Sequence, residues 1–120
     1  MIFFLQMVLS FPPIVAIYNQ MRYTVTVIRN FADKESRKLY ITGNSRRLPP
    51  NIIRQTLRKL EQINSAGRVE DLITFPGNKL EPLKGKLKGK YSIRINDQWR
   101  IVFSFAEGDA YDVEITDYHK

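Results

Sequence analysis

Between Lys79 and Lys90 the chain carries five lysines, at 79, 84, 86, 88 and 90, and a single acid, Glu81. Further on, Arg100 stands within a run of β-forming residues, and the sequence closes on Asp117, Tyr118, His119 and Lys120. These residue types suit acid–base chemistry on an anion. Lysine ammonium groups bind phosphate as point charges, an arginine can stabilise the negative charge that grows on a pentacovalent phosphate, and the terminal side chains can hold or pass a proton. RNA fits as the substrate class because it brings its own nucleophile, the 2′-OH. An enzyme then needs only a base for that hydroxyl, cations for the phosphorane and an acid for the leaving oxygen. The plainer alternatives are that the lysines solubilise a hairpin tip and that a terminal histidine belongs to a frayed end. Arg100 weighs against them: it projects from the side of its strand opposite the apolar residues, where a purely structural arginine has little to do. The terminal group follows directly on the last strand, so a sheet can hold it near Arg100 and the lysine rim.

Composition narrows the chemistry further. The chain has 120 residues, 43% of them hydrophobic, which suits one compact domain. Nineteen Lys and Arg against twelve Asp and Glu give a net charge of +7, and the pI is near 9.8. That balance makes a polyanion, most often nucleic acid, the first partner to consider. Cysteine is absent and His119 is the single histidine, so neither a disulfide scaffold nor a conventional metal cage is expected. No Ser-His-Asp or Cys-His arrangement can be assembled. Gly85-Lys86-Leu87-Lys88-Gly89 lacks the order of a phosphate loop. The expectation is metal-free chemistry without a cofactor.

Residues 1–20 are strongly apolar and uncharged. No basic residue precedes the run and no small-residue cleavage site follows it, so an export signal is not expected. Pro12 and Pro13 divide it into pieces too short to span a bilayer core of ~30 Å as one helix. The expected organisation is a hydrophobic extension over 1–20, read as the product of a translation start placed upstream of Met21 or else as a short appendage, and one domain over 21–120 that holds every charge.

The remainder reads as a strand, two helices and a run of strands. Tyr23 to Ile28 alternates β-formers. Asp33 is placed to cap a helix reaching about Tyr40, with Ala32, Ser36, Leu39 and Tyr40 on one side and Gly43 ending it. Pro49 and Pro50 sit where the first turn of a second helix tolerates proline. Ile53, Leu57, Leu60 and Ile63 form its core stripe; Arg54, Arg58, Lys59 and Glu61 are assigned to a solvated back. Ala66-Gly67 closes it. Residues 79–90 read as a glycine-punctuated loop. Three strands follow with period two: Tyr91, Ile93, Ile95; then Trp99, Ile101, Phe103, Phe105; then Tyr111, Val113, Ile115. They are joined at Asn96-Asp97-Gln98 and Glu107-Gly108-Asp109. Short connections demand antiparallel neighbours, and strands grouped after helices predict an α+β domain with the helices on one face. The odd-numbered residues are expected to build the core.

Four ordered motifs carry a resemblance: Leu80-Glu81-Pro82-Leu83-Lys84-Gly85, Trp99-Arg100-Ile101-Val102-Phe103, Asp109-Ala110-Tyr111-Asp112-Val113 and Asp117-Tyr118-His119. Together with Pro76-Gly77 and the Lys84-Gly85…Lys88-Gly89 spacing, they resemble the HigB-type toxins of the RelE superfamily of type II toxin–antitoxin systems. The likeness runs from about Val27 to the end of the chain. It implies a small α+β fold with a curved antiparallel sheet and a ribosome-dependent, metal-free mRNA endonuclease that inhibits translation in the cytoplasm. The implied partners are mRNA on the ribosome and a HigA-like helix-turn-helix antitoxin, with operator DNA reached only through the antitoxin complex and no membrane. Carried over by motif, the functional lysine falls on Lys84, the arginine on Arg100, and the terminal acidic, tyrosine and histidine positions on Asp117, Tyr118 and His119. Lys79, Lys86, Lys88 and Lys90 are the expected RNA- or phosphate-binding rim. The chain departs from the pattern at Glu81, where the family often has histidine before Pro-Leu-Lys-Gly. A carboxylate can serve as a base but cannot be a cation beside phosphate. Two other readings stand beside the nuclease: a catalytically weakened relative that acts through antitoxin binding and autoregulation, and a ParE-like toxin with a non-RNA target such as DNA gyrase.

Overall fold

A computed structural model describes residues 27–118; the apolar extension, most of the expected first strand, and His119 lie outside that range. Helix α1 spans Lys34–Thr42 and α2 spans Pro50–Ser65. A 3-10 helix over Val69–Thr74 leads to four strands: β1 (Glu81–Pro82), β2 (Lys90–Arg94), β3 (Trp99–Ala106) and β4 (Asp109–Asp117). They form one antiparallel sheet in the order β1-β2-β3-β4, the arrangement that short hairpin connections require. The domain is α+β, with the helices packed on one face of the sheet.

Period two decides which face is buried. Ile93, Ile95, Trp99, Ile101, Phe103, Val113 and Ile115 join Leu39, Ile52, Leu60, Ile63 and Leu72 in one core. Tyr111 was expected among them and is instead exposed. The register between Val102 and Ser104 shifts against β4, and the extra residue there is Asp112, whose φ is +52°. This bulge reverses the alternation, so that Ala110 is buried and Tyr111 points away. Asn30 holds the bulge: its Nδ2 donates to Asp112 Oδ1 at 2.8 Å and its Oδ1 accepts from the Asp112 backbone N–H at 2.9 Å. Glu107 and Gly108 both take positive φ in the preceding turn, as a two-residue hairpin loop of this hand demands.

The helices differ from expectation in three places. Asp33 precedes α1 as its cap residue but makes no side-chain capping bond, because its carboxylate pairs with Arg47 at 3.0 Å. Ala32, assigned to the inner side, is exposed: its backbone N–H donates to Val113 O at 2.9 Å, so it belongs to the segment that runs alongside β4. Lys59, assigned to the solvated back of α2, is only 7% exposed. The inner face of α2 runs through Ile52, Thr56, Lys59 and Ile63, with Leu60 beside it, so it lies further round the helix than the aliphatic stripe alone suggests. Ile53 and Leu57 are half-buried at its margin. Gly43 ends α1 at φ +78°, its N–H donating to Leu39 O at 2.8 Å.

The outer edge of β4 is closed in two ways. Ile28 and Phe31 make parallel bridges to Ala110 and Val113. Beyond them side chains take over: the Ile115 N–H donates to Ser36 Oγ at 3.0 Å, and Arg47 Nη2 donates to Ile115 O at 2.9 Å. Ser36 and Ile115 are fully buried. Ser36→Ala is therefore expected to strand a buried N–H and cost about 1–3 kcal/mol, read as a lower midpoint in urea denaturation with an unchanged slope. An unchanged midpoint would show that Ser36 does not close this edge.

Candidate RNA-cleaving site

The sheet face away from the helices is built by the same alternation. Arg94 on β2 is the register partner of Arg100 on β3, and Arg100 pairs in turn with Thr116 on β4. The adjacent row is Glu81, Ser92, Val102 and Glu114, across all four strands. Paired residues of an antiparallel ladder point to one side, so Glu81, Arg94, Arg100, Thr116 and Glu114 share this face. Glu81 stands two strands from Arg100 and one two-residue step along, roughly 12 Å between Cα atoms.

Arg100 is held in place. One guanidinium nitrogen, Nη1, donates to the carbonyl oxygens of Asn96 and Trp99, the latter at 3.2 Å. Its guanidinium carbon lies 4.3 Å from the centre of the Tyr118 ring, within reach of the ring's negative face. Arg94 pairs with Asp97. The turn between these strands ties the pieces together: Asn96 Oδ1 accepts from the N–H groups of Gln98 and Trp99, Gln98 Nε2 donates to Asp117 Oδ2 at 2.9 Å, and Gln98 O accepts from the Tyr118 N–H. Asp117, the last residue of β4, is the register partner of Trp99.

The structure thus brings Arg100, Asp117 and Tyr118 together, with Glu81 on the same face. Lys90 begins β2 opposite Ser104, half-buried. Lys79, Lys84, Lys86 and Lys88 are exposed and belong to the connections on either side of β1. Lys79 has φ +47°, and Lys84 precedes a 3-10 turn over Gly85–Leu87. The expected loop is therefore interrupted by β1, which puts Glu81 on a strand. Two features escaped the sequence reading. Arg94 shares the parity of Ser92 and Asn96 and faces Arg100 once the hairpin closes; its place in the alternation was the available signal. The second is a buried polar cluster behind β1, around Lys59 and Asn78.

Among the described residues no helix is long and apolar enough to cross a membrane. Residues 29–119 match the family described as the RelE-like toxin of type II toxin–antitoxin system HigB. The chain is 41% identical over 91 residues to Toxin HigB-1 of Vibrio cholerae serotype O1, covering 75% of this chain and 95% of that protein. It is 33% identical over 93 residues to Endoribonuclease HigB of Proteus vulgaris, covering 78% of this chain and all of that protein. A protein of Haemophilus influenzae without an assigned activity is 31% identical over 81 residues, covering 67% and 80% of the two chains. With the four-stranded antiparallel sheet, the helices on one face and the Arg94–Arg100–Tyr118 cluster on the other, this match places the chain in the HigB family of RelE-like toxins of type II toxin–antitoxin systems.

Proposed function

We propose that this toxin is an endoribonuclease that cleaves mRNA on the ribosome and is neutralised by a HigA-like helix-turn-helix antitoxin. The observation that carries the reading is the convergence of two arginines and a tyrosine ring on the polar face of the sheet, in a chain similar to a protein named as an endoribonuclease. Cleavage needs no external nucleophile. The 2′-oxygen loses its proton to a base and bonds to the adjacent phosphorus, the bond from phosphorus to the 5′-oxygen breaks, and an acid returns a proton to that oxygen. Arg100, with Nη1 committed to two carbonyl oxygens, keeps its other N–H groups for a phosphate, and Arg94 beside it adds a second fixed charge. Preorganised cations of this kind stabilise a phosphorane as its charge develops. Tyr118 and His119 are assigned acid–base or substrate-orienting work, and Glu81 is the base or a tolerated substitute. Lys84 and its neighbours track the phosphate backbone, and Asp117 fixes the turn that carries the site.

Induction of the toxin in cells is expected to arrest growth with new mRNA 5′ ends, mapped by sequencing of transcript ends. Arg100→Ala should abolish both, because it removes the central cation without opening the core. Arrest with intact transcripts would move the target away from RNA.

Lys86 and Lys88 are exposed; the Lys88 backbone N–H donates to Gly85 O at 3.1 Å, a bond that a change of side chain leaves in place. Lys86→Glu with Lys88→Glu is expected to leave the unfolding free energy within about 0.5 kcal/mol while weakening RNA association and flattening its dependence on salt. Each lost contact to a single strand should reduce the log–log slope by ~0.7. A slope unmoved by the double reversal would leave these lysines with a solubilising role alone.

The exposed carboxylate of Glu81 on the arginine face favours one second reading, a slowed enzyme. A negative charge there opposes the approach of phosphate. Glu81→His is therefore expected to raise single-turnover cleavage on programmed ribosomes; a wild type that cleaves rapidly and is slowed by this change would make Glu81 the native base.

A further inference from the structure

Behind β1 lies a cluster that the cleavage reading leaves unused. Lys59 comes from the inner face of α2 and is only 7% exposed, and its Nζ donates to Oδ1 of Asn78. Asn78 is fully buried and uses every polar atom it has. Its Nδ2 donates to Gln62 Oε1 and to Leu72 O, each at 3.1 Å. Its backbone N–H donates to Phe75 O at 3.2 Å, and its carbonyl accepts from the Arg94 N–H at 2.7 Å. None of the ion pairs among the described residues includes Lys59. The charged groups that act on it are Arg58, on its own helix, and Arg94, on β2; both repel it.

A buried cation opposed by two others is a poor choice for packing alone, since an apolar side chain fills such a site without the desolvation penalty. What the cation does here is hold Asn78. The next residue, Lys79, turns the backbone through φ +47°, and Glu81 and Pro82 then lie against Ser92 and Tyr91. Asn78 therefore fixes both where β1 enters the sheet and, through its carbonyl, the backbone of Arg94. We infer that Lys59 is a positioning residue: acting through Asn78, it sets the placement of Glu81 and Arg94 on the site face. The inference rests on the reading of that face as a cleavage site, but the clamp itself can be tested without cleavage.

Ionisation gives a handle on the clamp. Desolvation first, then Arg58 and Arg94, hold Lys59 below its ordinary range. The unfolded chain keeps its proton at a pH where the folded chain has released it, so rising pH through this interval adds stability through Lys59. Loss of site geometry there cannot be ascribed to unfolding driven by this group.

The test follows the backbone amides of Lys79, Leu80, Glu81 and Arg94 by ¹⁵N NMR across pH in the full-length chain. They are expected to report one common ionisation below the ordinary lysine range. Lys59→Met should remove it, and Asn78→Asp, which gives Lys59 a carboxylate partner, should move it to higher pH. Amides that do not titrate, or that titrate alike in wild type and Lys59→Met, would overturn the inference. If Lys59→Met does not fold, the direction of the shift in Asn78→Asp decides: an unmoved or lowered ionisation refutes the clamp. A cleavage arm on programmed ribosomes adds the split expected of positioning, with kcat down by about 10–100-fold and KM within about twofold. A cleavage loss that merely follows the folded fraction would make Lys59 structural. Absence of cleavage by the wild type would refute the nuclease reading and leave the NMR result to judge the clamp.

Discussion

A hairpin closed by three residues leaves almost no freedom in which side chains meet. The turn Asn96-Asp97-Gln98 brings Arg94 opposite Arg100, and the ladder then requires Ile93 and Ile101 to share the other face. Everything at the candidate site depends on this pairing. Two like charges opposite one another in a ladder repel, so the pairing needs compensation close by. The same turn supplies it. Asp97 takes Arg94, the carbonyl of Asn96 takes Arg100, and Gln98 binds Asp117 by its side chain and Tyr118 by its carbonyl. Three consecutive residues thus offset the repulsion and seat the tyrosine that covers Arg100.

The core and the site share one alternation, so they cannot be altered independently. A one-residue slip of β2 against β3 would turn Ile93 out of the core and Arg94 into the apolar interior. The hydrophobic cost of that exchange protects the geometry of the polar face better than the surface contact to Asp97, which is 94% exposed and of a kind that contributes little. The bulge at Asp112 belongs to the same logic. It changes the parity of β4 where Tyr111 leaves the core, while Val113 and Ile115 stay in it, and so carries β4 to its pairing of Thr116 with Arg100 and Asp117 with Trp99.

Much of this was legible from residue spacing. Ile93, Ile95, Trp99, Ile101 and Phe103 announce their strands and their face, and the same parity places Arg100 away from the core. Asn96-Asp97-Gln98 announces the turn. What spacing could not disclose depends on partners distant in sequence or on elements too short to have a period. The bulge needs Asn30, which lies 82 residues from Asp112. β1 has two residues, and no alternation can be read from two. At Lys59 position outweighs residue type: Ile52, Thr56, Lys59 and Ile63 recur at helical spacing, and a lysine in that stripe belongs inside if a buried acceptor awaits it. Asn78 is that acceptor, and nothing local in the sequence marks it.

The cations of this domain divide by how they are held. Arg94 and Arg100 are fixed by the turn and a ring, and Lys59 by a buried amide, so each has lost most of its conformational entropy when the chain folds. Lys79, Lys84, Lys86 and Lys88 stay exposed on the connections around β1 and keep that entropy. Fixed charges suit a transition state, where reorganisation at the moment of reaction costs rate. Mobile lysines suit a flexible polyanion, whose attraction is long-ranged and driven by released counterions. The short edge strand β1 separates the two classes: Glu81 stands on the strand with the fixed arginines across the face, and the lysines flank it on both sides. On the proposed function, a phosphate chain drawn in by the lysines would meet a carboxylate before it meets Arg94 and Arg100. Under the proposed cleavage, that order would make Glu81 the residue through which electrostatic capture and chemistry are coupled.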